Sequence, residues 1–246
     1  AAASACRLTR LPPSGESIWQ TSIDGCSAER VLERSGAGRL VFAGTREGAG
    51  PTLFVADETN GALSLQLPLP NRAVRLAATA TRVAYLAPPA ELGLARVRGI
   101  DIDTGAPVFE HDFPMALRYA GQTLPDAMVP QLGSNGSDAF VLHQGLFRPE
   151  LPALFAAHVI NANTGALGAD IAPATIAVPT EASVLAHTSA GVLQVTRDLG
   201  VTPPTRKLVL HATASGAVLW ERTIDSDWAR AFVPNVNANA LYTLLF

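Results

Sequence analysis

Five segments of this chain align on a glycine, and that repeat limits the possible folds more than any other feature. They are Ser14-Gly15-Glu16-Ser17-Ile18-Trp19, Asn60-Gly61-Ala62-Leu63-Ser64-Leu65, Thr104-Gly105-Ala106-Pro107-Val108-Phe109, Thr164-Gly165-Ala166-Leu167-Gly168-Ala169 and Ser215-Gly216-Ala217-Val218-Leu219-Trp220. The glycines are 46, 44, 60 and 51 residues apart. Four beyond each stands Trp19, Leu65, Phe109, Ala169 and Trp220, and eight beyond stands Ile23, Leu69, Phe113, Pro173 and Ile224. Side chains alternate along a strand with period two, so these two positions share one face. Runs such as Ile100-Asp101-Ile102-Asp103-Thr104 and Ile160-Asn161-Ala162-Asn163-Thr164 precede four of the glycines. Their Asp, Asn and Thr side chains accept local backbone hydrogen bonds and the glycine supplies a positive φ, which together make a tight hairpin turn.

Each unit therefore reads as strand, turn, strand. Two further candidate strands lie upstream, for example Ala73 to Ala78 with Arg82 to Ala87, or Ser183 to His187 with Val192 to Thr196. Four strands in about 50 residues is the content of one propeller blade. A β-sandwich has turn signals at similar spacing but no reason to repeat one turn glycine with a large apolar residue four positions on. Ser27 to Arg34 could start a helix capped by Ser27. Its place, however, is that of a blade's first strand, with residues 35–38 as the turn before Arg39-Leu40-Val41-Phe42.

The expected fold is thus all-β, a β-propeller of four-stranded blades in a single domain over residues 1–246. Residues 1–26 hold the last two strands of a closing blade, 27–224 hold four blades, and 225–246 offer that blade's first two strands at Arg230 to Val236 and Leu241 to Phe246. Pairing the ends would give five blades of about 49 residues and remove exposed edges. The rival is a piece of a six- to eight-bladed propeller, suggested by the apolar ending Leu244-Leu245-Phe246.

The pattern Asp101-Ile102-Asp103-Thr104-Gly105 with Phe109 resembles the repeat of the quinoprotein-like propellers. That family includes quinone-cofactor alcohol dehydrogenases and a non-catalytic lipoprotein of outer-membrane assembly. The resemblance implies structural roles. Gly15, Gly61, Gly105, Gly165 and Gly216 would turn hairpins, and Trp19, Leu65, Phe109 and Trp220 would dock between neighbouring blades. The dehydrogenases carry a vicinal disulfide over the quinone and acidic and amide ligands to calcium. Here the two cysteines, Cys6 and Cys26, are not adjacent, so no catalytic, cofactor or metal residue carries over and the non-catalytic branch is implied.

Cys6 and Cys26 are nearly symmetric about Pro12-Pro13-Ser14-Gly15. If residues 6–11 pair with 18–24, the two cysteines meet beyond the hairpin's open end, within the roughly 7 Å between Cα atoms that a disulfide requires. A disulfide implies an extracytoplasmic, periplasmic or secreted protein, and the abundance of Ala and the preference for Arg over Lys point to a bacterium with a GC-rich genome. The start Ala-Ala-Ala-Ser-Ala-Cys also allows Cys6 to be the lipidated residue of a lipoprotein.

Hydrophobic residues at 48% and charged residues at 16% suit many buried strands. A net charge of −3 without a basic run argues against nucleic acid, and no stretch reaches the roughly 18–20 apolar residues of a spanning helix. The histidines, His111, His143, His158, His187 and His211, have no metal-ligand spacing.

The expected function is extracytoplasmic binding or scaffolding of a protein partner within a larger assembly, with no cofactor. Recognition would use the longer connections, Pro88 to Leu94, Gln144 to Pro152 with Leu146, Phe147 and Leu151, and Asp198 to Thr205. The alternative is a glycosidase-like enzyme using carboxylates at the channel mouth, Glu29, Asp126, Glu181 and Asp227.

Overall fold

A computed structural model describes residues 5–11, 15, 17–35, 37–73, 75–87, 94–114, 117–119, 122–124, 131–148, 151–168, 171, 180–188, 191–198, 201–202, 205–224, 233–237 and 240–244. Among these residues the regular structure is all strand. The chain forms two compact units, Ala1–Ala90 with Ala95–Phe113, and Glu91–Leu94 with Pro114–Phe246.

In the first unit, β1 (Ala5–Arg10) and β2 (Trp19–Asp24) pair as an antiparallel hairpin with Cys6 opposite Ile23 and Arg10 opposite Trp19. Next, β3 (Cys26–Arg34), β4 (Arg39–Arg46), β5 (Gly50–Asp57) and β6 (Leu63–Pro68) form a four-stranded meander in chain order. A second meander follows in β7 (Arg75–Ala78), β8 (Arg82–Ala87), β9 (Leu94–Asp101) and β10 (Pro107–Pro114). The segment from Ser27 is a strand, because its ladder to β4 outweighs the local cap that Ser27 could have offered.

The central strands are buried on both faces, as blades stacked side by side require. Phe42, Phe54 and Ala56 of the first meander pack on Cys6 and Ile23 of the hairpin. From the opposite face Val41, Ala43, Leu53 and Val55 meet Leu76, Val83, Tyr85 and Ile100 of the second meander. Alternation along β4 and β5 thus sends successive side chains to successive blades.

In the second unit, β11 (Leu117–Tyr119) and β12 (Gln122–Leu124) form a short hairpin. The strands β13 (Gln131–Ser134), β14 (Ala139–Arg148) and β15 (Leu151–Asn161) form a three-stranded sheet. A four-stranded meander is built from β16 (Thr180–Thr188), β17 (Gly191–Asp198), β18 (Thr205–His211) and β19 (Val218–Ile224). The last pair is β20 (Val233–Asn237) with β21 (Ala240–Leu244).

Among the described residues, repeat four shows the bridges Ile160 to Leu167 and Ala157 to Ile171 after its turn. One expectation changes here. Gln144 to Pro152 is not a loop. Most of it belongs to β14 and β15, which pair on from His143 opposite Ala157 to Arg148 opposite Leu151, past the end of β13. Leu146 and Leu151 therefore sit in the ladder of a two-stranded arm, and Phe147 lies on β14.

The hairpins β1–β2 and β20–β21 are each two-stranded, and no ladder joins them among the described residues.

Candidate functional site

All five repeat glycines adopt the left-handed conformation, with φ of +84° at Gly15, +74° at Gly61, +71° at Gly105, +73° at Gly165 and +68° at Gly216. In three of the turns the residue four before the glycine, Asp57, Asp101 or Asn161, accepts the local hydrogen bonds. Asp101 Oδ1 accepts from the backbone N–H of Asp103 at 3.1 Å and of Thr104 at 2.9 Å, and from the Thr104 hydroxyl at 2.9 Å. Asn161 does the same with Asn163 and Thr164 at 3.0–3.1 Å. In the last repeat the place belongs to Ala212, where backbone bonding remains and His211 Nδ1 lies 3.1 Å from the Gly216 carbonyl oxygen. Hydrogen bonds from Thr104 hold the Asp101 carboxyl below the usual carboxylate range, and those from Thr59 do so for Asp57.

Two turns of the first unit, at Gly61 and Gly105, receive the preceding repeat. A Cβ added to Gly61 would lie 2.5 Å from the Trp19 ring and 2.6 Å from the Thr21 hydroxyl. The Trp19 indole N–H donates to the Glu58 carbonyl at 3.0 Å, and the Thr21 hydroxyl donates to the Gly61 carbonyl at 2.7 Å. One repeat later, Leu65 and Leu67 lie against Gly105. The next knob, Phe109, covers Gly99 of its own sheet so closely that no side chain fits there, and it stacks on His111, which meets Phe113 edge-on.

Beside this second socket lies a cavity of about 490 Å³ with apolar walls that include Leu67, Leu69 and Val108. Tyr85, Arg98 and Glu110 form its polar patch. Arg98 donates to Glu110 at 2.5 Å, which raises the affinity of the guanidinium for its proton, and Arg96 grips Asp112 through two bonds of 2.7 Å. This ladder was readable in principle, since Arg96, Arg98, Glu110 and Asp112 alternate on the two sides of one turn. Seeing it required the hairpin register.

A cavity of about 470 Å³ in the second unit is lined by Leu167 and Gly168 on one side and by Ala212, Thr213 and Ala214 on the other. Asp138 also lines it, and hydrogen bonds from Asn135 and Ser137 hold its carboxyl low. The Thr213 hydroxyl is buried with no hydrogen-bond partner among the described residues.

The edge strand β19 exposes three consecutive large apolar residues, Val218 at 55%, Leu219 at 52% and Trp220 at 39%. Cys6 and Cys26 are bonded, with Cα atoms 5.1 Å apart and both side chains buried.

The side chains of Glu29, Glu181, Leu146, Phe147 and Leu151, together with Asp126 and Asp227, lie outside the described residues, as does most of Pro88 to Leu94. Among the described residues no cluster of three metal-ligating side chains occurs.

No protein-family model and no curated protein matches the sequence. Solved structures do match in shape. The WD40 domain of Neurospora crassa Pan2 aligns at a TM-score of 0.50 and 12% identity, over 85% of this chain and 57% of that one. The β-propeller domain of the Trilobed protease from Pyrococcus furiosus, described as having an open velcro topology, gives 0.50 and 11%, over 85% and 59%. An acylaminoacyl peptidase from Pyrococcus horikoshii gives 0.51 and 11%, over 98% and 41%. The chain thus spans 41–59% of the length of these structures. At such identities the likeness carries fold alone, and it supports a β-propeller.

Proposed function

We propose that this chain is a protein-interaction β-propeller acting outside the cytoplasm as a subunit of a larger assembly. The observation that carries the reading is the exposed run Val218, Leu219 and Trp220 on edge strand β19. Side chains on both faces of one strand are apolar and open to water, beside a backbone edge that carries no ladder among the described residues, and such a surface favours a covering partner. The disulfide supports an oxidising compartment, periplasmic or secreted. The quinoprotein-like reading of the repeat keeps the same sense, with glycines and docking side chains that build structure and leave recognition to exposed positions.

The proposed architecture is one domain over residues 1–246 with five blades, β20 and β21 completing the blade begun by β1 and β2. Supporting it, β1 with β2 and β20 with β21 are each two-stranded and together make the four strands of one blade.

The functional test is purification from the native compartment. The chain should elute with a stoichiometric partner, and Leu219→Glu should lose it while retaining the parent melting temperature. A chain that elutes alone, or a Leu219→Glu variant that keeps its partner, overturns the reading.

A further inference from the structure

The charges between β9 and β10 are balanced among themselves. Arg98 donates through Nε to Glu110, while Arg96 grips Asp112 and reaches Glu110 at 3.4 Å, so two guanidinium groups face two carboxylates. One donor is left over. Arg98 Nη1 is buried and has no hydrogen-bond partner among the described residues. Tyr85, 3% exposed, holds its hydroxyl beside the same guanidinium and supports its charge. Both side chains line the cavity of about 490 Å³. Its other walls are largely apolar, with Leu67 of β6 and Leu69 just beyond it on one side and Val108 and the Phe109 ring of β10 on the other. A cavity of this size holds a small organic molecule.

We infer that this cavity binds a neutral, apolar small molecule through one carbonyl oxygen set between Tyr85 and Arg98. The carbonyl follows from the donors. With its oxygen turned to Arg98, the Tyr85 hydroxyl keeps its proton to give, and the neighbouring cation strengthens it as a donor. The orphaned N–H beside it is costly until an acceptor serves it. Neutrality follows from the charges. A carboxylate would add a third negative group where both cations are already matched, and burying a charge without a partner of its own is expensive. The apolar body follows from Leu67, Leu69 and Val108, and a ring on it meets Phe109.

This site lies in the first unit, away from Leu219, and neither outcome there decides the other. The test is NMR titration of the isotope-labelled full chain with benzylacetone and with hydrocinnamate, in which a carboxylate replaces the methyl ketone. Benzylacetone should shift the amides of Gly99, Ile100, Val108 and Phe109 and saturate at low millimolar concentration or below, as a ligand of about ten heavy atoms can. Hydrocinnamate should bind at least about fivefold more weakly. Tyr85→Phe keeps the ring and removes the donor, and it should weaken benzylacetone at least about fivefold. Val108→Trp should fill the cavity and abolish the shifts. The comparison of the two ligands needs no variant, so it decides the matter even if either substitution prevents folding. No shift at these amides at millimolar benzylacetone, hydrocinnamate binding as tightly as the ketone, or a folded Tyr85→Phe that binds like the parent overturns the inference.

Discussion

At the scale of single residues, the turn glycines show how position sets the value of one missing side chain. Gly61 and Gly136 share a positive φ, +74° and +81°, but only Gly61 has a neighbour where its Cβ would be. Gly61→Ala should therefore cost about 1–2 kcal/mol for the left-handed backbone, and about 1–3 kcal/mol more for displacing Trp19 and Thr21. Gly136→Ala should incur the first cost alone. Urea unfolding of the two variants checks this, and equal losses would mean that the Trp19 contact contributes nothing. The glycine, the polar residue four before it and the aromatic four after it were all legible in the sequence, because each answers a local rule of turn chemistry or strand alternation. Which aromatic covers which glycine was not, since Trp19 and Gly61 are 42 residues apart and only blade stacking brings them together.

Among the elements, the N-terminal hairpin depends most on a covalent link. Its Cys6 sits in β1 opposite Ile23, and Cys26 opens β3, so the bond ties a two-stranded sheet to a four-stranded one across a core of Phe42, Phe54 and Ala56. A two-stranded hairpin is marginal by itself. Replacing both cysteines by alanine should cost about 3 kcal/mol, the loop-closure value for a span of this length. A midpoint of chemical unfolding unmoved by that double substitution would show that packing alone holds the hairpin. The pairing of Cys6 with Cys26 was derivable, because the register needed only the turn position. The arm of β14 and β15 was not. Gln144 to Pro152 carries proline and apolar residues that suit a loop, and ladder bonding between the two strands overrode that local preference.

For the whole molecule, the open question is closure, and amide exchange along β1 addresses it. The ladder to β2 uses every second amide of β1, leaving the others on the sheet's far edge. In a five-bladed ring those amides pair with β21 and exchange slowly; in an open arc they exchange within minutes. Fast exchange at every second residue of β1 would rule out the composite blade. What the sequence by itself determined was the repeat: strand, polar turn, glycine and strand, with large side chains at fixed offsets, enough for an all-β chain of blades. These are short-range instructions, set by backbone sterics and side-chain alternation within a few residues. What only the tertiary structure decided was where the pattern is fulfilled and where it is broken. Trp19 reaches across to Gly61 of the next repeat, whereas Phe109 turns onto Gly99 of its own sheet. The physical reason is that a socket belongs to two repeats at once, so whether it is filled depends on packing between segments that the chain itself does not place side by side.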